Sequence, residues 1–199
     1  HVKGLEISAY ESRANPGQVL AFSTADIGAH HNRAWVIARE IKMGRLAITK
    51  EKVELLIEHQ HIRSLFDMLT TCRFPWIELS LPLEYYERFY RAATGLDVTW
   101  SDLIKAAERV WNLTRAIWIR EVDGFGRSWD YPPPRWIKEP LPEGPFKGVY
   151  VKPEDYDKLL DWYYELRGWD KKTGYPTVEK LKELGLDYVI ETLKRMGKL

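Results

Sequence analysis

A mainly α-helical fold is expected of this 199-residue chain on three counts. Apolar residues recur at the three- and four-residue spacings of a helix over most of its length. The stretches so patterned stop at glycine or proline. Strand-type alternation occurs once, in Gly4–Tyr10, so at most a short strand opens the chain. The organisation expected is a helical region over residues 1–120, a Pro/Gly-rich extended segment over 121–152, and C-terminal helices over 153–199 packing on the same body. No internal repeat and no glycine-rich phosphate loop occurs.

In chain order, Glu11–Gly17 is polar and reads as a loop ending in Pro16-Gly17. A helix over Val19–Ile41 follows, broken at Gly28. Its small residues, Ala21, Ser23, Ala25, Gly28 and Ala29, admit close approach by a second backbone or a ligand, so this helix is expected to face something bulky. His30 and His31 lie in that zone; on a helix they diverge by about 100°, so one at most faces a given site. Lys50–Leu69 is the next helix, with Val53, Leu56, Ile57, Leu65, Phe66 and Leu69 apolar. His59 and His61 within it are two apart, share no face and read as solvated or packing residues. Leu83–Thr94 is helical and terminates at Gly95, and Thr99-Trp100-Ser101-Asp102 has the form of a capping box starting a helix to about Arg120.

Composition then changes. Six of the eleven prolines fall between Pro132 and Pro145, which reads as an extended, polyproline-like wrap. Trp129, Tyr131, Trp136 and Phe146 imply that it packs rather than merely links. Beyond it, Pro153 suits a first helical position, Tyr156, Leu159, Leu160, Tyr163 and Leu166 form a stripe, and Gly168 ends it. Pro176-Thr177 starts another helix stopped by Gly185, and Asp187 caps the last.

Thirty basic side chains against 29 acidic ones leave a net charge of +1, so no global field draws the chain to nucleic acid or anionic lipid. No apolar run approaches the roughly 20 residues that span a bilayer. One cysteine excludes a disulfide framework and makes a reducing cytoplasm the default location.

That cysteine, Cys72, lies in LFDMLTTCRFPW (65–76), where a helical pattern meets Phe74-Pro75. A thiol at such a junction can point away from the core. Alone it cannot build a metal cage, since thiolate sites need about four ligands; a buried structural cysteine is the alternative.

DMLTTC has the spacing Asp-x-x-x-x-Cys and resembles the second pterin- and cluster-binding motif of the aldehyde:ferredoxin oxidoreductases, usually Asp-x-x-Gly-Leu-Cys. Asp67 and Cys72 are kept, while Thr70 and Thr71 replace Gly-Leu. Cys72-Arg73-Phe74-Pro75-Trp76 is similar to the formaldehyde ferredoxin oxidoreductase branch, and three further segments agree in order: residues 1–6, Gly28-Ala29-His30-His31, and Leu166–Asp170. The resemblance implies mainly helical C-terminal domains of an enzyme that oxidises short aldehydes to carboxylic acids. Its cofactors would be tungsten held by two pterins, with magnesium between them, and a 4Fe-4S cluster passing electrons to ferredoxin. Cys72 matches a cluster ligand. Asp67 matches the acid that accepts hydrogen bonds from a pterin, with the Thr70 and Thr71 backbone completing that edge, although the lost glycine puts the backbone geometry there in question. Arg73 would stabilise the thiolate or favour acidic aldehydes in the substrate channel. His31 matches the histidine beside the tungsten, and Tyr10 a pocket tyrosine; both would polarise the aldehyde carbonyl. A second channel arginine has no residue in register, Arg63 lying one position nearer the cysteine. The other three cluster ligands and a candidate base lie upstream in the family. With a first residue that is His1 and not methionine, a C-terminal piece of a longer enzyme, partnered by its own N-terminal part, is expected. Oligomeric state, homo-oligomer included, is left open. So are two other readings: a non-catalytic helical interaction module, and a tungsten subunit of an aryl-coenzyme A reductase type of enzyme.

Overall fold

The computed structural model describes residues 1–199 and is mainly helical, with isolated bridges in place of strands. Its helices are α1 (Pro16–Thr24), α2 (Ile37–Lys42), α3 (Lys50–Met68), α4 (Phe74–Leu79), α5 (Glu84–Thr94), α6 (Trp100–Glu121), α7 (Pro134–Lys138), α8 (Pro153–Arg167), α9 (Val178–Glu183) and α10 (Asp187–Arg195), with a 3-10 turn at Arg127–Asp130. No helix is long and apolar enough to cross a membrane. The expected opening strand does not form. Lys3 and Gly4 take positive φ (50° and 82°), turning the chain so that Val2 and Leu5 bridge each other, and no second strand lies alongside.

α1 is buried on every side, all nine residues included, the pattern of a helix at the centre of a core. It packs against α3 and α8, and Val19, Leu20, Ala21 and Phe22 share one cluster with Val53, Leu56, Trp111, Trp136, Tyr156, Leu159 and Tyr163. Two of the small residues, Ala21 and Ala29, join that same core cluster, and Phe22 lies 5.8 Å from Trp136 within it. The buried Glu40 carboxylate accepts from the Gly17 and Gln18 amides (2.6 and 3.2 Å), capping α1, and meets Lys52 Nζ at 3.2 Å. A side chain at Gly17 would collide with it at 2.9 Å.

The single helix expected over Val19–Ile41 is instead two, α1 and α2, separated by irregular chain that carries both histidines. Asp26 draws the backbone out of the helix by accepting from its neighbour's amide (Ile27 N, 2.9 Å). Gly28, at φ +97°, lies so close to Val2 that a Cβ there would be 2.7 Å from its carbonyl oxygen. Gln18 fixes the far end of this loop through Ala34 O (3.3 Å) and Val36 N (3.0 Å).

The capping box at the start of α6 is complete: the Asp102 amide donates to Thr99 Oγ1 (3.2 Å) and the Thr99 amide to Asp102 Oδ2 (2.9 Å). Gly95 and Gly168 end α5 and α8 in the left-handed region. The proline-rich segment is less extended than expected. Pro134 occupies the first turn of α7, where a fixed φ starts a helix, and Trp136 and Ile137 enter the main core. Thr177 caps α9 through Lys180 N, whereas Asp187 is the first residue of α10 and makes no cap bond. A second cluster joins the end of α6 and Phe125 to α9 and α10.

Both histidines of α3 serve packing, His59 buried and His61 half-buried. His59 is 7% exposed, with its ring edge-on to Trp76 at 5.7 Å. His61 Nε2 accepts from Arg167 Nη1 at 2.5 Å, while that guanidinium lies over Trp111 and donates to Gln60 Oε1 (2.6 Å). Burial, with Arg63 and Arg39 nearby, lowers His59 to about 4; burial beside Arg167 and Lys180 lowers His61 to about 2. Both are neutral when folded and bind a proton readily when unfolded. Folding stability should therefore be full above pH 6.5 and fall as the pH drops toward 4, His59 alone contributing a slope of up to about 1.4 kcal/mol per pH unit. Urea unfolding across that range measures it, and a flat stability from pH 7 to 4.5 would contradict the burial of these rings.

Candidate functional site: a basic cleft beside Cys72

α3 positions the site by the way it stops. Leu69 keeps a helical backbone, Thr70 turns to φ +54°, the Thr70 amide bonds Asp67 O (3.1 Å) and the Thr71 amide bonds Phe66 O (2.9 Å). This pair of bonds is the Schellman termination, whose turning residue is normally glycine. The turning position is thus held by a threonine in the left-handed region, where an L side chain is strained by about 1–2 kcal/mol. Thr70→Gly should relieve part of it and raise stability by about 0.5–1 kcal/mol, read as the shift in urea midpoint; a destabilised variant would mean that the threonine side chain itself holds the turn.

The chain then leaves the helix axis and carries Cys72 to the surface. The Phe74 amide donates to Cys72 Sγ (3.4 Å), and Tyr86 Oη donates to the Cys72 carbonyl (3.3 Å). The thiol is exposed, so the alternative of a buried structural cysteine does not hold. Tyr10, His31, Trp35, Arg63, Cys72 and Arg73 border one cleft of about 470 Å³. Asn32, Arg33, Arg63, Asp67, Thr71 and Arg73 border a second of about 340 Å³. Arg63 and Arg73 belong to both and form the wall between them. Of Tyr10, His31, Asp67, Thr70, Thr71, Cys72 and Arg73, Thr70 alone lines neither cleft; its part is the turn.

The two histidines are not on a helix, and the divergence expected of them is absent. Their rings stack, centroids 4.6 Å apart and planes at 20°. His31 alone lines the cleft, with Tyr10 edge-on at 5.4 Å, and its Nδ1 is 3.0 Å from Ser8 Oγ. The His30 Nδ1 accepts from the Asn32 amide (3.0 Å). Burial, His30, Arg73 and Arg63 together lower the His31 pKa, so the ring is neutral near pH 7. Arg63, 6% exposed, is brought down to about 10 by burial and by Arg73.

Four contributors were not assigned from the sequence. Arg33 bridges Asp26 (2.7 Å) and the Asp67 carboxylate, a pair 34 residues apart with no local signal. Asn32 and Trp35 were hidden inside a supposed helix, and Arg63 was noted only as out of register. Three buried polar atoms at these clefts have no partner in the chain: Arg63 Nε, Trp35 Nε1 and Asn32 Oδ1. Two unused donors, one unused acceptor and the Arg63–Arg73 wall, with Glu78 the acid on the same cleft, suit a polar group bearing negative charge, such as a pterin with its phosphate. No set of three or more His, Cys, Asp or Glu side chains converges as a metal cage; Cys72 is the chain's one thiol.

Fold and site together define a mainly helical chain with a cleft lined by arginines beside an exposed cysteine. The family model described as aldehyde ferredoxin oxidoreductase, domains 2 and 3, matches residues 1–186, and the chain belongs to that family. It is 35% identical over 190 residues to the tungsten-containing aldehyde ferredoxin oxidoreductase of Pyrococcus furiosus, with 93% of this chain and 30% of that protein covered. The enzyme of the same description from Thermococcus kodakarensis is 35% identical over 191 residues. The chain thus spans about 30% of the length of these relatives. Among solved structures, the active-site complex BamBC of benzoyl coenzyme A reductase with 1,5-dienoyl-CoA superposes with a TM-score of 0.70, at 23% identity, over 98% of this chain and 33% of that one. That likeness shows the mainly α fold and nothing of the substrate.

Proposed function

We propose that this chain is the cofactor-facing C-terminal part of a tungsten-pterin enzyme that oxidises short aldehydes to carboxylic acids, with the remaining cluster ligands and the general base supplied by upstream residues of the same enzyme. The observation that carries this reading is the convergence of Cys72, His31, Tyr10, Arg63 and Arg73 on one cleft bordered by unpaired buried donors. Asp67 would hold a pterin edge. Its pairing with Arg33 orients the carboxylate and leaves acceptor capacity, since a carboxylate has about four lone-pair sites. The backbone of Thr70 and Thr71, fixed by the Schellman bonds, and the Arg73 guanidinium complete that wall. No residue here is assigned to the magnesium that links paired pterins.

A tungstopterin held here would supply the two-electron acceptor needed as aldehyde and water become acid and two protons. His31, neutral, donates a hydrogen bond to the aldehyde oxygen, and Tyr10 donates a second. Arg63 and Arg73 favour substrates bearing a carboxylate, in keeping with Cys72-Arg73-Phe74-Pro75-Trp76, the sequence that resembles the formaldehyde branch. Cys72 would supply one thiolate ligand to a 4Fe-4S cluster, which would supply one-electron chemistry toward ferredoxin.

Metal analysis and aldehyde-dependent reduction of ferredoxin or a viologen by the full-length enzyme test this reading. A full-length protein with all its upstream cysteines but neither tungsten nor molybdenum would place the chain with the non-catalytic modules. Cys72→Ala in that enzyme should alter or abolish the cluster signal in electron paramagnetic resonance while tungsten content stays near normal; an unchanged signal with full ferredoxin-linked activity would remove Cys72 from the cluster.

A further inference from the structure

Ser8 belongs to the opening segment, where no role was expected of it, yet it touches the histidine loop at two points. Its amide donates to Ala29 O (3.2 Å), pinning residue 8 beside residue 29, and its Oγ lies 3.0 Å from His31 Nδ1. The hydroxyl is thus set in place by backbone before the imidazole meets it. His31 is also stacked on His30, has Tyr10 at 5.4 Å, and lines the cleft with its Nε2 free of any hydrogen-bond partner in the chain.

We infer that Ser8 is the positioning residue of His31: its hydroxyl donates to Nδ1, which places the single proton of the neutral ring on Nε2 and makes Nε2–H a fixed donor into the cleft. A neutral imidazole has one N–H, and which nitrogen bears it is set by the hydrogen bond that the other nitrogen makes. A serine hydroxyl can donate or accept. The donor to Nδ1 is the sense that leaves a donor, rather than a lone pair, facing a carbonyl oxygen. This inference rests on the proposed aldehyde chemistry only for its consequence on rate; the tautomer itself is a property of the 199-residue chain.

Two experiments decide it. Long-range ¹H–¹⁵N spectra of the chain labelled at its five histidines, with His31 identified by the signals missing from His31→Asn, report the tautomer without any cofactor. His31 should show an unprotonated Nδ1 and a protonated Nε2; Ser8→Ala should pull both shifts toward the average of two tautomers, and Ser8→Thr, which keeps a hydroxyl, should restore them. A wild-type proton on Nδ1, or shifts indifferent to Ser8→Ala, would overturn the assignment. Where Ser8→Ala does not fold, the nearly isosteric Ser8→Cys, a weaker donor, is read by the same shifts. In the full-length enzyme, Ser8→Ala should lower kcat about 3- to 10-fold, the worth of one neutral hydrogen bond, with KM unchanged and Ser8→Thr close to wild type. An unchanged kcat in an active enzyme counts against the positioning role. A full-length enzyme with no aldehyde oxidation even as wild type counts against the functional reading, while the spectra still judge Ser8.

Discussion

His31→Asn in the full-length enzyme is expected to lower turnover by about 10²–10³-fold, the usual cost of deleting one preorganised donor to a developing oxyanion, with tungsten content near that of wild type. The expectation follows from where the ring sits. His31 lines the cleft that holds Tyr10, Cys72 and the two arginines, while His30 does not. Asparagine keeps a polar amide but is shorter and lacks the Ser8 and His30 contacts that fix the ring. His30→Asn should cost less than His31→Asn. It removes the stacked plate and the acceptor of the Asn32 amide, so a moderate loss through disorder of His31 is expected. Steady-state rates with a short aldehyde, beside metal content, separate the two. Equal and small effects at both positions would leave the histidines with packing roles alone.

Much of the helical frame was legible because its signals are local. A capping box at Thr99 and Asp102, a proline at the first turn of α8, and glycines at 95 and 168 each act within a few residues, so pattern and structure coincide. The segment between α1 and α2 was not legible, for a physical reason. α1 is buried all round, so its apolar residues mark no face that would show where the helix ends. What ends it is the turn at Asp26 and the close approach of Gly28 to Val2, 26 residues back along the chain. The site divides the same way. Asp67, Thr71, Cys72 and Arg73 lie in one short motif and arrive together, whereas Arg33, Asn32 and Trp35 reach the cleft only through that irregular loop. Thr70 takes a left-handed turn without a glycine, and two backbone hydrogen bonds hold it there.

Asp130→Asn should destabilise the chain by about 3–5 kcal/mol, a large share of the 5–15 kcal/mol that folded domains possess. Asp130 is fully buried and meets Lys3 Nζ at 2.8 Å, Arg115 at 2.7 Å and the Tyr164 hydroxyl at 2.6 Å, while its carbonyl accepts from Tyr156. Burial opposes its charge, but Arg115 and Lys3 prevail and hold the carboxyl below its ordinary 3.8. Its stabilisation is therefore present above that value and lost as the pH falls through the lower, folded one. Lys3 is lowered by burial in spite of Asp130, so neither cation is comfortable without the carboxylate. Asparagine would leave two buried cations facing a neutral amide. Lys3→Met is the informative control: it removes one cation, keeps the Asp130–Arg115 pair and replaces the lysine stem with an unbranched apolar one, and should cost well under half as much. The consequence reaches the cleft, because the Lys3–Gly4 turn that Asp130 anchors places Val2 and Leu5 against Gly28, at the root of the histidine loop. Urea midpoints of the two variants give the comparison, and an Asp130→Asn chain as stable as wild type would show that this buried ion cluster adds nothing to the fold.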